Sequence, residues 1–144
     1  MKRFDCFRRL IPLLALWALT CASVVQSAEQ PLEFRVTFDP AVSDLPFTGR
    51  VYVMIARRER PEPRFGPNWF SPDPFFARDV QSWRPGDGIV VDNKALGYPG
   101  PLAMLPKGTY SIQAVMDFGR QRDFSDAEGN GFSNVVRIEL DPDA

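Results

Sequence analysis

An all-β sandwich of two sheets is the fold class this sequence predicts, on three observations. Apolar and polar residues alternate over 32–38, the β-branched run at 49–56 is apolar at nearly every position, and no helical apolar period persists for three turns after the N-terminal segment. Alternation with period two buries one face of a strand, and a continuous apolar run marks a strand covered on both faces. Sheets patterned in this way must pack on one another to hide their apolar sides.

The N-terminal segment is set apart from that pattern. Lys2, Arg3, Arg8 and Arg9 precede an uncharged stretch at 10–25, and Val25, Ser27 and Ala28 supply the small or aliphatic residues of a cleavage site. This predicts a signal peptide over 1–27, a periplasmic or secreted protein, and one domain over 28–144. The competing reading is a retained anchor, since residues 10–28 carry no charge, but Thr20, Ser23, Gln26 and Ser27 weaken its second half. No stable membrane insertion is expected once the signal is cleaved. Cleavage takes basic residues from 17 to 13, acidic ones from 18 to 17 through loss of Asp5, and net charge from −1 to −4. An acidic balance argues against nucleic acid as a partner. Cys6 and Cys21 leave with the signal, and the chain has no histidine, so neither an imidazole base nor a thiol nucleophile is expected in the exported domain.

The strands follow in order. Leu32, Phe34, Val36 and Phe38 fall on one face, and Asp39-Pro40 ends the strand, because proline has no N–H for a ladder. Val51, Val53 and Ile55 give residues 49–56 the character of a central strand. Over 57–85, Pro61, Pro63, Pro67, Pro72, Pro74 and Pro85 interrupt any helix or long strand. The same segment holds many aromatics, which a disordered linker would lack, so an ordered irregular loop packed on or presented by a sheet is predicted. Pro85-Gly86-Asp87-Gly88 reads as a turn, 89–92 as a short strand, and Tyr98-Pro99-Gly100-Pro101 as another turn. Residues 108–116 and 132–140 read as closing strands, with Val136, Ile138 and Leu140 inward. Tyr110, opening a strand after Leu105-Pro106-Lys107-Gly108-Thr109, has the placement of a tyrosine corner, which narrows the class to an Ig-like, Greek-key two-sheet β-sandwich.

Two constellations invite a function. Trp69, Phe70, Phe75, Phe76 and Trp83 are the candidate binding residues, because clustered rings dock partner proteins or stack on sugars. Asp126-Ala127-Glu128-Gly129-Asn130-Gly131 spaces oxygen donors two apart like the start of a calcium loop, which makes Asp123, Asp126, Glu128 and Asn130 candidate metal ligands. The position twelve along from Asp126 is Arg137 rather than a bidentate glutamate, so a hairpin turn is the competing reading and no cofactor is expected. No phosphate loop, Ser-x-x-Lys motif or Gly-x-Ser-x-Gly elbow occurs, and no enzyme activity is expected.

Gly49-Arg50-Val51-Tyr52-Val53, Pro61-Glu62-Pro63-Arg64, Pro74-Phe75-Phe76, Asp79-Val80, Trp83-Arg84-Pro85-Gly86, Leu96-Gly97-Tyr98-Pro99, the run at 105–115 and Gly129-Asn130-Gly131-Phe132-Ser133 occur here in that order. Together they resemble the N-terminal β-sandwich domain of secreted esterases of the α/β-hydrolase, enterochelin-esterase-like type, over roughly residues 33–142. In those proteins the hydrolase domain carries the nucleophile and histidine; no position here corresponds to either. The resemblance implies a free-standing accessory domain, docking to a separate exported hydrolase or binding a small ligand or carbohydrate itself.

Overall fold

Among the described residues eight strands form, in chain order: β1 (Phe34–Val36), β2 (Phe47–Ala56), β3 (Phe75–Trp83), β4 (Ile89–Val91), β5 (Leu96–Tyr98), β6 (Gly108–Asp117), β7 (Gly131–Phe132) and β8 (Val136–Leu140). The computed structural model describes residues 31–58, 61–66, 70, 73–118 and 129–140, among which there is no α-helix. The segment predicted to be a signal peptide and most of the candidate calcium loop lie outside those residues. All pairings are antiparallel. β1 and β4 make one small sheet, and the larger sheet runs β5-β3-β2-β6, with β7 and β8 sharing the far side of β6. The chain is thus all-β with two sheets, as its patterning predicts.

The register explains the patterning residue by residue. Val51 pairs with Met116, Val53 with Ala114 and Ile55 with Ile112, so these positions share the inner face of the large sheet, turned toward β1 and β4. Phe34 and Val36 pack down onto that face, and Val53, Ile55, Phe76, Val91, Leu102, Leu105, Tyr110 and Leu140 form one core cluster with them. A second cluster joins Phe38, Phe47, Val51, Trp83 and Met116. Pairing in β1 stops at three residues because β4 offers only Ile89–Val91, yet the alternation of 32–38 holds, with Leu32 packed on the core and Phe38 buried. β2 is the central strand its composition demands: Met54 and Ala56, on the opposite face from Val53 and Ile55, are as buried as they are.

The segment 57–85 departs from expectation. Residues Phe75–Trp83 are a nine-residue strand, not loop. Proline stands at 74 and 85 but nowhere between, so every N–H of the strand is available to a ladder, and β2 takes them from Phe47 to Met54. The alternation was hard to see because Ala77 is buried on the face where Phe75 and Asp79 are not. β5 likewise replaces part of a predicted turn. Its Gly97 is obligatory, since a Cβ there would overlap the Gly100 carbonyl and the ring of Phe76.

Tyr110 opens β6 fully buried, and its hydroxyl donates to the carbonyl of Pro106 at 2.6 Å, the bond a tyrosine corner requires. The Arg57 Nη2 group donates to the same hydroxyl at 3.2 Å, tying the end of β2 to this corner. Tyr110→Phe keeps the ring and removes both hydrogen bonds, so it is expected to lower unfolding free energy by about 1–2 kcal/mol. Urea titration checks this; an unchanged midpoint would mean the bond adds nothing net.

Candidate binding face

The outer face of the large sheet, turned away from β1 and β4, carries two rows of residues across the strands. One row runs Tyr98–Phe75–Met54–Gln113, the other Leu96–Ala77–Tyr52–Val115–Phe132. Half of this face is covered by the β2–β3 connection. Its 3₁₀ turn, Pro63–Phe65, lies against β2 and β6, and Pro63 and Gly66 are buried there. Gln113 is the anchor: its Oε1 accepts from the Arg64 N–H at 3.2 Å, and its Nε2 donates to Glu62 Oε2 at 3.0 Å and the Ser133 carbonyl at 2.9 Å. Arg64 Nε completes the network by donating to Glu62 at 2.8 Å, with its guanidinium packed over the rings of Phe65 and Phe132. The Arg64 hydrogen bond first, then that of Gln113, holds the Glu62 carboxyl below its usual pKa. Of the predicted irregular loop, this turn lies packed on the sheet.

Among the described residues, the part of the face over β3 and β5 is less covered: Ala77 is buried, Tyr52 and Phe75 are half-buried, and Leu96 and Tyr98 of β5 are exposed. Tyr98 stacks on Phe75, with centroids 5.8 Å apart and planes at 14°, and Phe75 meets Tyr52 edge to face at 6.1 Å. Tyr98 is 43% exposed and Leu96 beside it 60%. Next to the rings, Arg50 donates to both oxygens of Asp79, at 2.7 and 2.9 Å, which raises the guanidinium above its already high pKa. A recess of about 420 Å³ follows beyond the short β5, lined by Arg78, Asp79, Asp92 and Lys94. Chemically this surface offers ring faces, apolar edge and a fixed ion pair: the means of recognition.

The structure separates the five predicted aromatics. Phe76 and Trp83 are core residues, 2% and 5% exposed, and are not available to a ligand. Phe76 sits opposite Val53 on the inner face, and Trp83 packs edge-on against Phe38 at 4.6 Å while its indole N–H donates to the Asp87 carbonyl. Phe75 faces outward in the ring row, Phe70 is 98% exposed on the connection, and Trp69 lies outside the described residues. Tyr52 and Tyr98 were missed. The alternation of β2 carried the signal for Tyr52, which falls on the face opposite Val51 and Val53, whereas Tyr98 read as part of a turn. Of the metal candidates, Asp123, Asp126 and Glu128 lie outside the described residues, and Asn130 uses its Oδ1 to accept the Phe118 N–H at 2.9 Å. No group of three His, Cys, Asp or Glu that could hold a metal ion occurs among the described residues.

No known protein family, no curated protein and no solved structure matches this chain.

Proposed function

We propose that this chain is an exported, non-catalytic interaction domain of Ig-like type that binds a protein partner through the part of its outer sheet face over β3 and β5. The observation that carries the reading is the Tyr52–Phe75–Tyr98 ring cluster with exposed Leu96 beside it, an aromatic patch next to fixed charges, the composition of a docking surface. Support for the Ig-like reading comes from the order β3-β2-β6-β8 opposite a β1-β4 pair, with a tyrosine corner at the start of β6. The resemblance to the domain that precedes a secreted esterase makes a separate exported hydrolase the proposed partner. A saccharide is the second reading, favoured by the recess that Arg78, Asp79, Asp92 and Lys94 line together with Ala77 and Leu96.

Phe75→Ala with Tyr98→Ala tests both readings. Tagged full-length chain is expected to retain one hydrolase from the exported fraction of its own cells, and the folded double variant to retain less than about a tenth as much. Equal retention by both proteins would remove the face from the proposal. Retention of soluble glycans by wild type alone, with no hydrolase captured, would transfer the site to the saccharide reading.

A further inference from the structure

We propose that the recess beside β5 is a uronate subsite, taking a hydroxylated ring that carries one carboxylate; the inference rests on the saccharide reading of that recess and names its ligand. The recess has a volume of about 420 Å³ and is lined by residues 77–79 of β3 and by the turn that leads into β5. That size lies within the range of small-ligand sites. Its walls are fixed by bonds of their own. In the turn, the Ala95 N–H donates to the Asp92 carbonyl at 3.0 Å and the Lys94 N–H to Asp92 Oδ1 at 2.9 Å. Asn93 Oδ1 accepts the Ala103 N–H at 3.0 Å, which ties the turn to the 3₁₀ segment Leu102–Met104. On the β3 side, Arg78 Nη1 donates to the Val90 carbonyl of β4. Walls held in this way reduce the ordering cost of taking up a ligand.

The charges of the recess do not cancel. Asp79 is bonded at both oxygens to Arg50, so its charge is answered within the chain. Arg78 donates to a neutral carbonyl, and among the described residues neither Arg78 nor Lys94 has an ion-pair partner. Asp92 commits Oδ1 to the turn and keeps Oδ2 as an acceptor. Two cations therefore stand against one carboxylate, and the recess is net positive. A ligand carboxylate gains charge-assisted bonds from Arg78 and Lys94. Ring hydroxyls donate to Asp92, which repels a second negative charge and so selects against an acidic peptide. Leu96, 60% exposed, offers an apolar contact to the C–H face of a ring.

NMR titration of the full-length chain with glucuronate, glucose and hexaglutamate tests this, because glucuronate differs from glucose only in the carboxylate that replaces its hydroxymethyl group. Glucuronate is expected to shift the amides of residues 92–96 and to bind at least about tenfold more tightly than glucose. Lys94→Gln is expected to weaken glucuronate binding about fivefold, and Lys94→Arg to preserve it. Circular dichroism establishes that each variant is folded. Equal affinity for glucuronate and glucose would overturn the uronate assignment and leave the saccharide reading standing, whereas binding of neither sugar would remove both. Binding of hexaglutamate in preference to glucuronate, or a Lys94→Gln protein that binds glucuronate as wild type does, would also overturn the assignment.

Discussion

Trp83→Ala is expected to lower the unfolding free energy by about 3–5 kcal/mol, the largest effect of any single change argued here. The side chain is 5% exposed, and it is the piece that joins β1, β2 and β3 in the second core cluster. Phe38 meets its ring at 4.6 Å and Phe47 at 6.3 Å, both edge-on, so truncation removes two ring contacts as well as buried area. It also leaves the Asp87 carbonyl without the indole donor, loosening the turn that leads from β3 toward β4. For a domain of this size the melting temperature should fall by roughly 15–25 °C. Differential scanning calorimetry is the check, and a fall of only a degree or two would mean that the ring is not part of the core. The sequence left open whether this tryptophan serves stability or binding; its position assigns it to stability.

Gln113→Leu is expected to lower the unfolding free energy by about 2–3 kcal/mol, although leucine nearly matches glutamine in volume. The side chain is 2% exposed and serves three partners at once, the Arg64 N–H, the Glu62 carboxylate and the Ser133 carbonyl. An apolar replacement removes all three bonds at once, one of them to a carboxylate, and leaves the Arg64 backbone N–H without its acceptor. Hydrogen exchange should accelerate first at residues 63–66, because the turn loses its anchor to β6 before the sheet itself opens. Unchanged exchange there would show that the turn is held by packing alone. The same network has an acid limit. The Glu62 pKa is lowered in the folded chain, so its contribution is complete above the ordinary value of 4.5 and is lost as pH falls through the lower folded value. In the Gln113→Leu protein only Arg64 remains to hold that carboxylate, and the acid-dependent part of the stability should shrink accordingly.

Much of the sandwich was legible because its strands obey local rules. The alternation at 32–38, the apolar run at 49–56 and the phase of Ile112, Ala114 and Met116 each name an inward face without reference to any other part of the chain. The tyrosine corner was legible for the same reason, as the Pro106–Tyr110 bond spans four residues. β3 was not, because prolines on both sides of it dominated the composition of the segment, and a strand buried unevenly on its two faces shows no clean period.

The candidate face was less legible still. Clustering in sequence suggested that Phe75, Phe76 and Trp83 act together, but successive strand residues point to opposite faces, so Phe75 and Phe76 cannot. The rings that do meet come from β2, β3 and β5, at positions 52, 75 and 98, and only cross-strand register brings them together, across two adjacent rows of one face. By itself the sequence determined the all-β class and the inward phase of its regular strands, because both follow from contacts within a few residues. Tertiary structure alone decided which part of the large sheet's outer face is covered, because burial there depends on where a distant segment, Pro63–Phe65, comes to rest on β2 and β6.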